Sequence, residues 1–361
     1  MAQFTAQELE MIRTELEKNL KEQRNKPFVV SVMGQTGVGK SSLINALFDT
    51  DLKVDPVRPA TKKIEPIEKK TNGHTLIFYD MPGIGESDQI DSTLLEDYRR
   101  HLRDSDVVLW AIHADTRSTA LDARTLQHLL EGIAPEEKQL LMSRITFVLT
   151  KADLLAQSAW TMGYAEDYAI FNPGKKTKEL FEQKATYYQE QIISHYGAYI
   201  TSWTYNDVRF RLSDNGFSHT DESVYYRGLL TRDRVKELKK QYPHYSTVFD
   251  RLYDNYRVIA CSSFFKYNLV ELMHAILNKI GPNAIESFKQ VLNLDYLDRV
   301  PLDLARQRCN LYIVDTQKKI TVFNLINGVF PNAKRGSILM ASHTSKYTHW
   351  WSRFFSWDIH S

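Results

Sequence analysis

Between Gly34 and Ser41 the chain reads Gly34-Gln35-Thr36-Gly37-Val38-Gly39-Lys40-Ser41, a spacing of glycines, lysine and hydroxyl that suits the enclosure of a polyphosphate. Three glycines let the backbone curl tightly enough for successive N–H groups to converge on one anion. Lys40 carries a full positive charge to the outer phosphates, and Ser41 offers a hydroxyl to Mg²⁺. Gly34, Thr36, Gly37, Val38, Gly39, Lys40, Ser41 and Ser42 are therefore candidate nucleotide contacts. The flanks fit as well: a β-branched run, Phe28-Val29-Val30-Ser31-Val32-Met33, leads in, and helical periodicity runs from Lys40 to Phe48.

Two further tetrapeptides close apolar runs. Asp80-Met81-Pro82-Gly83 follows Thr75–Tyr79, so that Asp80 can reach the metal through a water and the Gly83 N–H can sense a γ-phosphate. Thr150-Lys151-Ala152-Asp153 follows Ile145–Leu149. A fixed carboxylate at Asp153 accepts from the ring N–H and exocyclic amino group of guanine, a donor pair absent from adenine, while the Lys151 stem can lie along the base. A site built for polar partners rejects a ligand that leaves them unpaired.

Positioning these residues requires alternating strands and helices. Strands are expected near 63–70, at Thr75–Tyr79, Val107–Ile112 and Ile145–Leu149, with helices near 91–103 and 119–131. The last unit comes late, as Val258-Ile259-Ala260 and a helix from about Leu269 to Lys279. That order predicts an α/β fold, a doubly wound and mainly parallel sheet with helices on both faces.

The division expected is an amphipathic helix within 1–26, a nucleotide-binding domain over 27–281 with an insertion at about 155–255, and an extension over 282–361. A segment as long as the insertion must be ordered, and its Tyr, Phe and Trp supply burial. It is expected to hold a helix over 176–196, a hairpin from Tyr199 to Leu212 turning at Asn206-Asp207, and a helix near 232–241. In the tail, Trp350, Phe354 and Trp357 share one helical stripe with Trp351 and Phe355 beside it, a surface for a membrane interface, a partner or the chain's own core.

Composition sets outer limits. The 361 residues carry a net charge of +2 and two cysteines, Cys261 and Cys309, which suits a reducing, cytoplasmic setting and gives no disulfide framework. No run approaches the ~18 apolar residues of a membrane-spanning helix. No basic stripe interleaved with aromatics argues for RNA.

Together the three motifs resemble the G1, G3 and G4 elements of TRAFAC-class P-loop GTPases, with the Era-like and septin-like branches nearest and bacterial proteins known as 50S-ribosome-binding GTPases nearest of all. Ala114-Asp115-Thr116-Arg117 with Leu121-Asp122 adds to the last likeness. The resemblance covers residues 27–154 and about 256–280. It implies GTP and GDP with Mg²⁺ as ligands, and hydrolysis of GTP as the activity. It also implies a switch threonine on Mg²⁺ and the attacking water at Thr61, with Thr50 as a rival, and a G5 motif at Cys261-Ser262-Ser263, where Ser262 stands for the usual Ala. Lys40 and Thr61 are then the candidates for transition-state stabilisation and metal or water positioning.

Ile84 occupies the place where Ras-like relatives carry a water-orienting Gln, so a low intrinsic rate is expected, with help from a partner or a G-domain homodimer. Gly37 replaces the P-loop Asn through which some relatives hold K⁺. Glu86, Ser87, Asp88, His74, His113 and Arg117 are local substitutes to consider, and no catalytic base is named. The competing expectation is a GTP-gated interaction module that hydrolyses little, contacting a protein partner through the insertion or the tail. Association with a ribosome or RNA is implied by the family likeness alone.

Overall fold

The computed structural model describes residues 27–50, 52, 64, 66–71, 74–82, 92–116, 119–155, 160–164, 167–280, 296–308, 310–315, 320–324 and 339–342. The lead-in helix, Thr61, the segment from Gly83 to Asp88, Arg117 and the Trp-rich tail lie outside them.

The N-terminal half begins with β1 (Phe28–Gly34), α1 (Lys40–Phe48), β2 (Pro66–Thr71) and β3 (His74–Asp80). It continues through α2 (Ser92–Asp104), β4 (Val107–His113), α3 (Ala120–Leu130), α4 (Pro135–Arg144) and β5 (Ile145–Thr150). Within β4 every residue from Val107 to Ile112 is buried. Such a two-sided burial belongs to a strand with helices on both faces and explains its unbroken apolar run. Val107 and Leu109 join a core with Leu43, Ile44 and Phe48 of α1, whereas Val108, Trp110 and Ile112 join Leu126, Leu129 and Met142 on the other face.

After β5 come β6 (Trp160–Tyr164), β7 (Tyr168–Pro173), α5 (Lys175–Tyr188), β8 (Thr201–Tyr205), β9 (Phe217–His219) and β10 (Ser223–Arg227). Then follow α6 (Arg232–Gln241), α7 (Ser246–Asp254), β11 (Ile259–Ala260) and α8 (Leu269–Ile280). The described C-terminal elements are β12 (Val300–Pro301), α9 (Leu302–Arg308), β13 (Asn310–Asp315), β14 (Ile320–Asn324) and β15 (Leu339–Ser342).

The first sheet has the order β11-β5-β4-β1-β3-β2. All its neighbours run parallel except β2 against β3. The C-terminal ends of β1, β3, β4, β5 and β11 thus line one edge, where ligands of open α/β sheets bind.

The second half departs from the expected organisation. Its strands form a three-stranded sheet, β8-β10-β9, and a six-stranded sheet, β12-β7-β6-β15-β13-β14. The inserted segment and the C-terminal extension therefore share one sheet, with β6 pairing β15 and β7 pairing β12. The hairpin expected around Asn206-Asp207 does not form, because β8 pairs with β10. Asn206 instead folds its own loop: its Oδ1 accepts from the Phe210 N–H at 2.6 Å and its Nδ2 donates to the Thr220 carbonyl at 2.9 Å. The helix over 176–196 ends early, at Tyr188, and continues as a π turn to Ile193 and a 3₁₀ turn to Tyr199.

Candidate functional site

The phosphate end is built at the junction of β1 and α1. Gly34 has φ +140° at the end of β1, and Gly37 and Gly39 have φ +77° and +95°, conformations that a side chain would strain. No side chain caps α1 and its first turn carries no acid, so this helix start is suited to an external anion. Among the described residues a Cβ placed on Gly37 would meet nothing within 4 Å. Lys40 is only 7% exposed, and its ammonium donates to the carbonyls of Gly34 and Gln35, both at 3.2 Å. Ser42 lies in the same first turn of the helix, and Thr36 precedes Gly37 in the loop.

The two metal-ligand candidates within the described residues meet. Ser41 Oγ donates to Asp80 Oδ2 at 2.6 Å, joining α1 to the end of β3. A hydroxyl and a carboxylate beside a phosphate cradle form a hard oxygen donor set that suits Mg²⁺, so the residues fit the ion. Thr50, the rival switch threonine, donates instead to Asn45 Oδ1 of α1 at 2.8 Å.

The base end straps onto the phosphate end. Thr150 Oγ1 donates to the Val38 carbonyl at 2.6 Å. Lys151 sits at φ +54°, and its ammonium donates to the Gly37 carbonyl at 2.6 Å. The Lys151 stem passes 3.4 Å from where a Cβ on Gly39 would stand, within van der Waals contact of it.

Ser262 Oγ donates to Asp153 Oδ1 at 2.5 Å and accepts from the Phe265 N–H at 2.9 Å. Ser262 thereby orients the carboxylate, and Ser263 follows it in the chain. Cys261, expected among the nucleotide contacts, faces away. Its thiol lies in the core with Leu269, Leu272 and Met273, while its N–H donates to Leu149 and its carbonyl accepts from Ala152. Burial, with the Asp153 charge adding to it, pushes the Cys261 thiol well above its ordinary range, so it is no nucleophile.

Sequence reasoning missed Asp122 as a structural partner of the phosphate loop. It is 2% exposed and accepts from Trp110 Nε1 at 2.9 Å and from Gln35 Nε2 at 2.7 Å. Its carboxyl is raised by burial, with the two donors pulling the other way. The signal was present: an acid on the inner face of a predicted helix requires a buried donor. His113, a considered water-orienting group, uses Nδ1 to accept from the Asp115 N–H at 3.2 Å. Burial, and then the Lys151 charge, lower its pKa.

The sequence model of the family described as "50S ribosome-binding GTPase" matches residues 29–151. The protein called YkfA of Escherichia coli K12 is 34% identical over 126 residues, 35% of this chain and 42% of that protein. GTPase Era of Thermoanaerobacter sp. X514 is 29% identical over 131 residues, 36% of this chain and 40% of its own length. The chain thus spans well under half the length of these relatives. Among solved structures, Toc33 from Arabidopsis thaliana in complex with Mg²⁺ and GMPPNP aligns with a TM-score of 0.30 at 26% identity, over 42% of this chain and 60% of that one. Residues 29–151, which hold the Gly34–Ser41 loop and the strand-end Asp80, match the P-loop GTPase family described as "50S ribosome-binding GTPase".

Proposed function

We propose that this chain is a Mg²⁺-dependent GTP-binding switch that hydrolyses GTP to GDP and phosphate. The observation that carries this reading is the Asp153 carboxylate, held by Ser262 at 2.5 Å on the same sheet edge as the Gly34–Ser41 cradle. Guanine presents two N–H donors to such a carboxylate, and adenine does not. In this proposal Gly34, Gly37, Gly39, Lys40, Ser41 and Ser42 hold phosphates, while Thr150, Lys151, Asp153, Ser262 and Ser263 hold the base. Ser41 and Asp80 would hold Mg²⁺, which offsets charge on the β- and γ-phosphates. Thr61 and Gly83 belong to the segments that sense the γ-phosphate, and hydrolysis releases them.

Isothermal titration of GTP, GDP and ATP with Mg²⁺, on the chain and on Asp153→Asn, tests this. Guanine nucleotides should bind, Asp153→Asn should weaken them, and ATP should be ignored. Equal ATP binding, or an indifferent variant, overturns the reading.

Ile84 in the Gln position supports help from outside the site, from a second G domain or from a protein partner met through the inserted segment. It also keeps open a second reading, a GTP-gated interaction module with little turnover. Phosphate release measured against protein concentration separates the two. A rising specific rate supports dimer assistance, and silence at every concentration supports the module.

A further inference from the structure

The turn after β11 is held on one side by the nucleotide-binding half and on the other by the second six-stranded sheet. Ser262 and Tyr267 pair backbone to backbone, at 3.1 and 2.9 Å, and close a turn in which Lys266 and Asn268 take φ of +50° and +61°. Asn accepts the left-handed region readily, but Lys266, two residues before it, is held there by its surroundings.

Part of that fixing is polar, since Asn268 Nδ2 donates to the Ala260 carbonyl at 2.9 Å. The rest is a box of rings around Phe265, which is 1% exposed. Its ring centroid lies 4.3 Å from that of Phe171 in β7, at 16° between planes, and 5.1 Å from that of Trp160 in β6. Trp160 also meets Tyr267 edge-on at 5.1 Å. Offset and edge-on rings at these spacings are attractive and hold one arrangement.

The backbone of Phe265 then reaches the site. Its N–H donates to Ser262 Oγ, the same hydroxyl that donates to Asp153. A hydroxyl has one proton. The Phe265 N–H occupies a lone pair of Ser262 and leaves the proton aimed at the carboxylate.

We propose that Phe265, clamped by Trp160 and Phe171 of the second sheet, is a positioning residue that sets how strictly Asp153 selects guanine. The inference rests on the guanine reading above and extends it to a part of the molecule outside the nucleotide-binding sheet. Loosening the box should let the turn drift, free the Ser262 hydroxyl and leave Asp153 less firmly oriented. The phosphate cradle, held by its own bonds, should keep its affinity.

The experiment compares the affinities of GDP, IDP and ADP with Mg²⁺ for the full chain and for Phe171→Leu, Trp160→Phe and Ser262→Ala. Inosine lacks the exocyclic amino group, so the GDP-to-IDP ratio reads the second bond to Asp153 separately from phosphate binding. Phe171→Leu should weaken GDP about tenfold and IDP less than threefold. Ser262→Ala should do the same, and the double variant should lose little more than either single one. Trp160→Phe keeps a ring in the box and should shift the ratio in the same direction by a smaller amount. It carries the test alone if Phe171→Leu does not fold.

Equal losses for GDP and IDP, or an unchanged ratio in a folded variant, overturn the inference. A parent chain that binds ADP as well as GDP overturns the guanine reading instead, so the two failures are distinguishable.

Discussion

The bond between Gln35 and Asp122 offers a demanding check on how the phosphate loop is held. Gln35 is the second residue of the loop, and its amide donates at 2.7 Å to a carboxylate that also takes the Trp110 indole N–H. A hydrogen bond to an ionised group nets about 1.5–3 kcal/mol. Asp122→Ala removes both bonds and leaves the Trp110 N–H in the core without that acceptor, at about 1–3 kcal/mol, partly offset because a carboxylate no longer needs burying. The half-buried Gln35 amide can turn to water.

A net loss of about 2–4 kcal/mol for Asp122→Ala, less for Gln35→Ala, and a coupling of about 1–2 kcal/mol in the double variant are expected from these bonds. Urea denaturation gives the stabilities, and GDP titration of the same proteins gives the affinities. Gln35→Ala should weaken GDP about tenfold, since an untethered loop must be ordered on binding. Asp122→Asn should stay near the parent, because the Gln35 amide can flip and offer its oxygen. Burial raises the Asp122 carboxyl. Its contribution is therefore fully present below the unfolded value of 3.8 and fades as pH rises through the higher folded value, a slope that Asp122→Asn removes. Zero coupling, or a Gln35→Ala chain that binds GDP unchanged, refutes the tether.

Three further outcomes follow from single positions. Gly34→Ala would put a Cβ 2.1 Å from the Ala111 carbonyl oxygen of β4, at φ +140°; backbone cannot yield as a side chain can, so a loss of at least ~3 kcal/mol is expected by thermal unfolding, together with failure to bind GDP. Ser41→Ala removes the hydroxyl on Asp80, and GDP affinity titrated against Mg²⁺ should lose most of its metal dependence. Lys279 is 7% exposed, its ammonium donates to the Ile145 carbonyl beside the Tyr256 ring, and burial pulls its pKa from 10.5 down to about 7. Between those values the unfolded chain binds the extra proton, so stability in urea should rise with pH from about 7 to 10.5 and fall as pH drops through 7. Lys279→Met should flatten that rise, and an unchanged slope would sink the assignment.

The parts of the candidate site that chemistry constrains locally were legible in the sequence. Gly34 to Ser41, Asp80 and Asp153 announce themselves because a phosphate cradle and a strand-end carboxylate need particular residues at particular offsets. The strands around them were legible for a related reason, since two-sided burial leaves runs such as Val107–Ile112. α4 was missed although Pro135, Glu136 and Glu137 mark its start, because only Leu141 and Met142 of its ten residues are buried and no apolar period shows. The second sheet was invisible for a deeper reason. Met162 pairs with Leu339 and Ala169 with Val300, and nothing local encodes a partner so distant in sequence.

The place of the inserted segment explains why its rings end at the base and not at the phosphates. It leaves the first sheet after β5 and returns at β11, and these two strands are parallel neighbours, with Ile259 opposite Val148 and Ala260 opposite Leu149. Adjacent strands lie about 4.8 Å apart, so the segment begins and ends beside Thr150–Asp153 and Ser262, the residues proposed to read the base. β6 starts ten residues after β5 ends and must pack close to that edge. Trp160 and Phe171 consequently cover Phe265, while Thr150 and Lys151 tie that end of the site to the Val38 and Gly37 carbonyls. A load on the second sheet should therefore disturb base recognition before phosphate binding, an order that nucleotide-release kinetics can read.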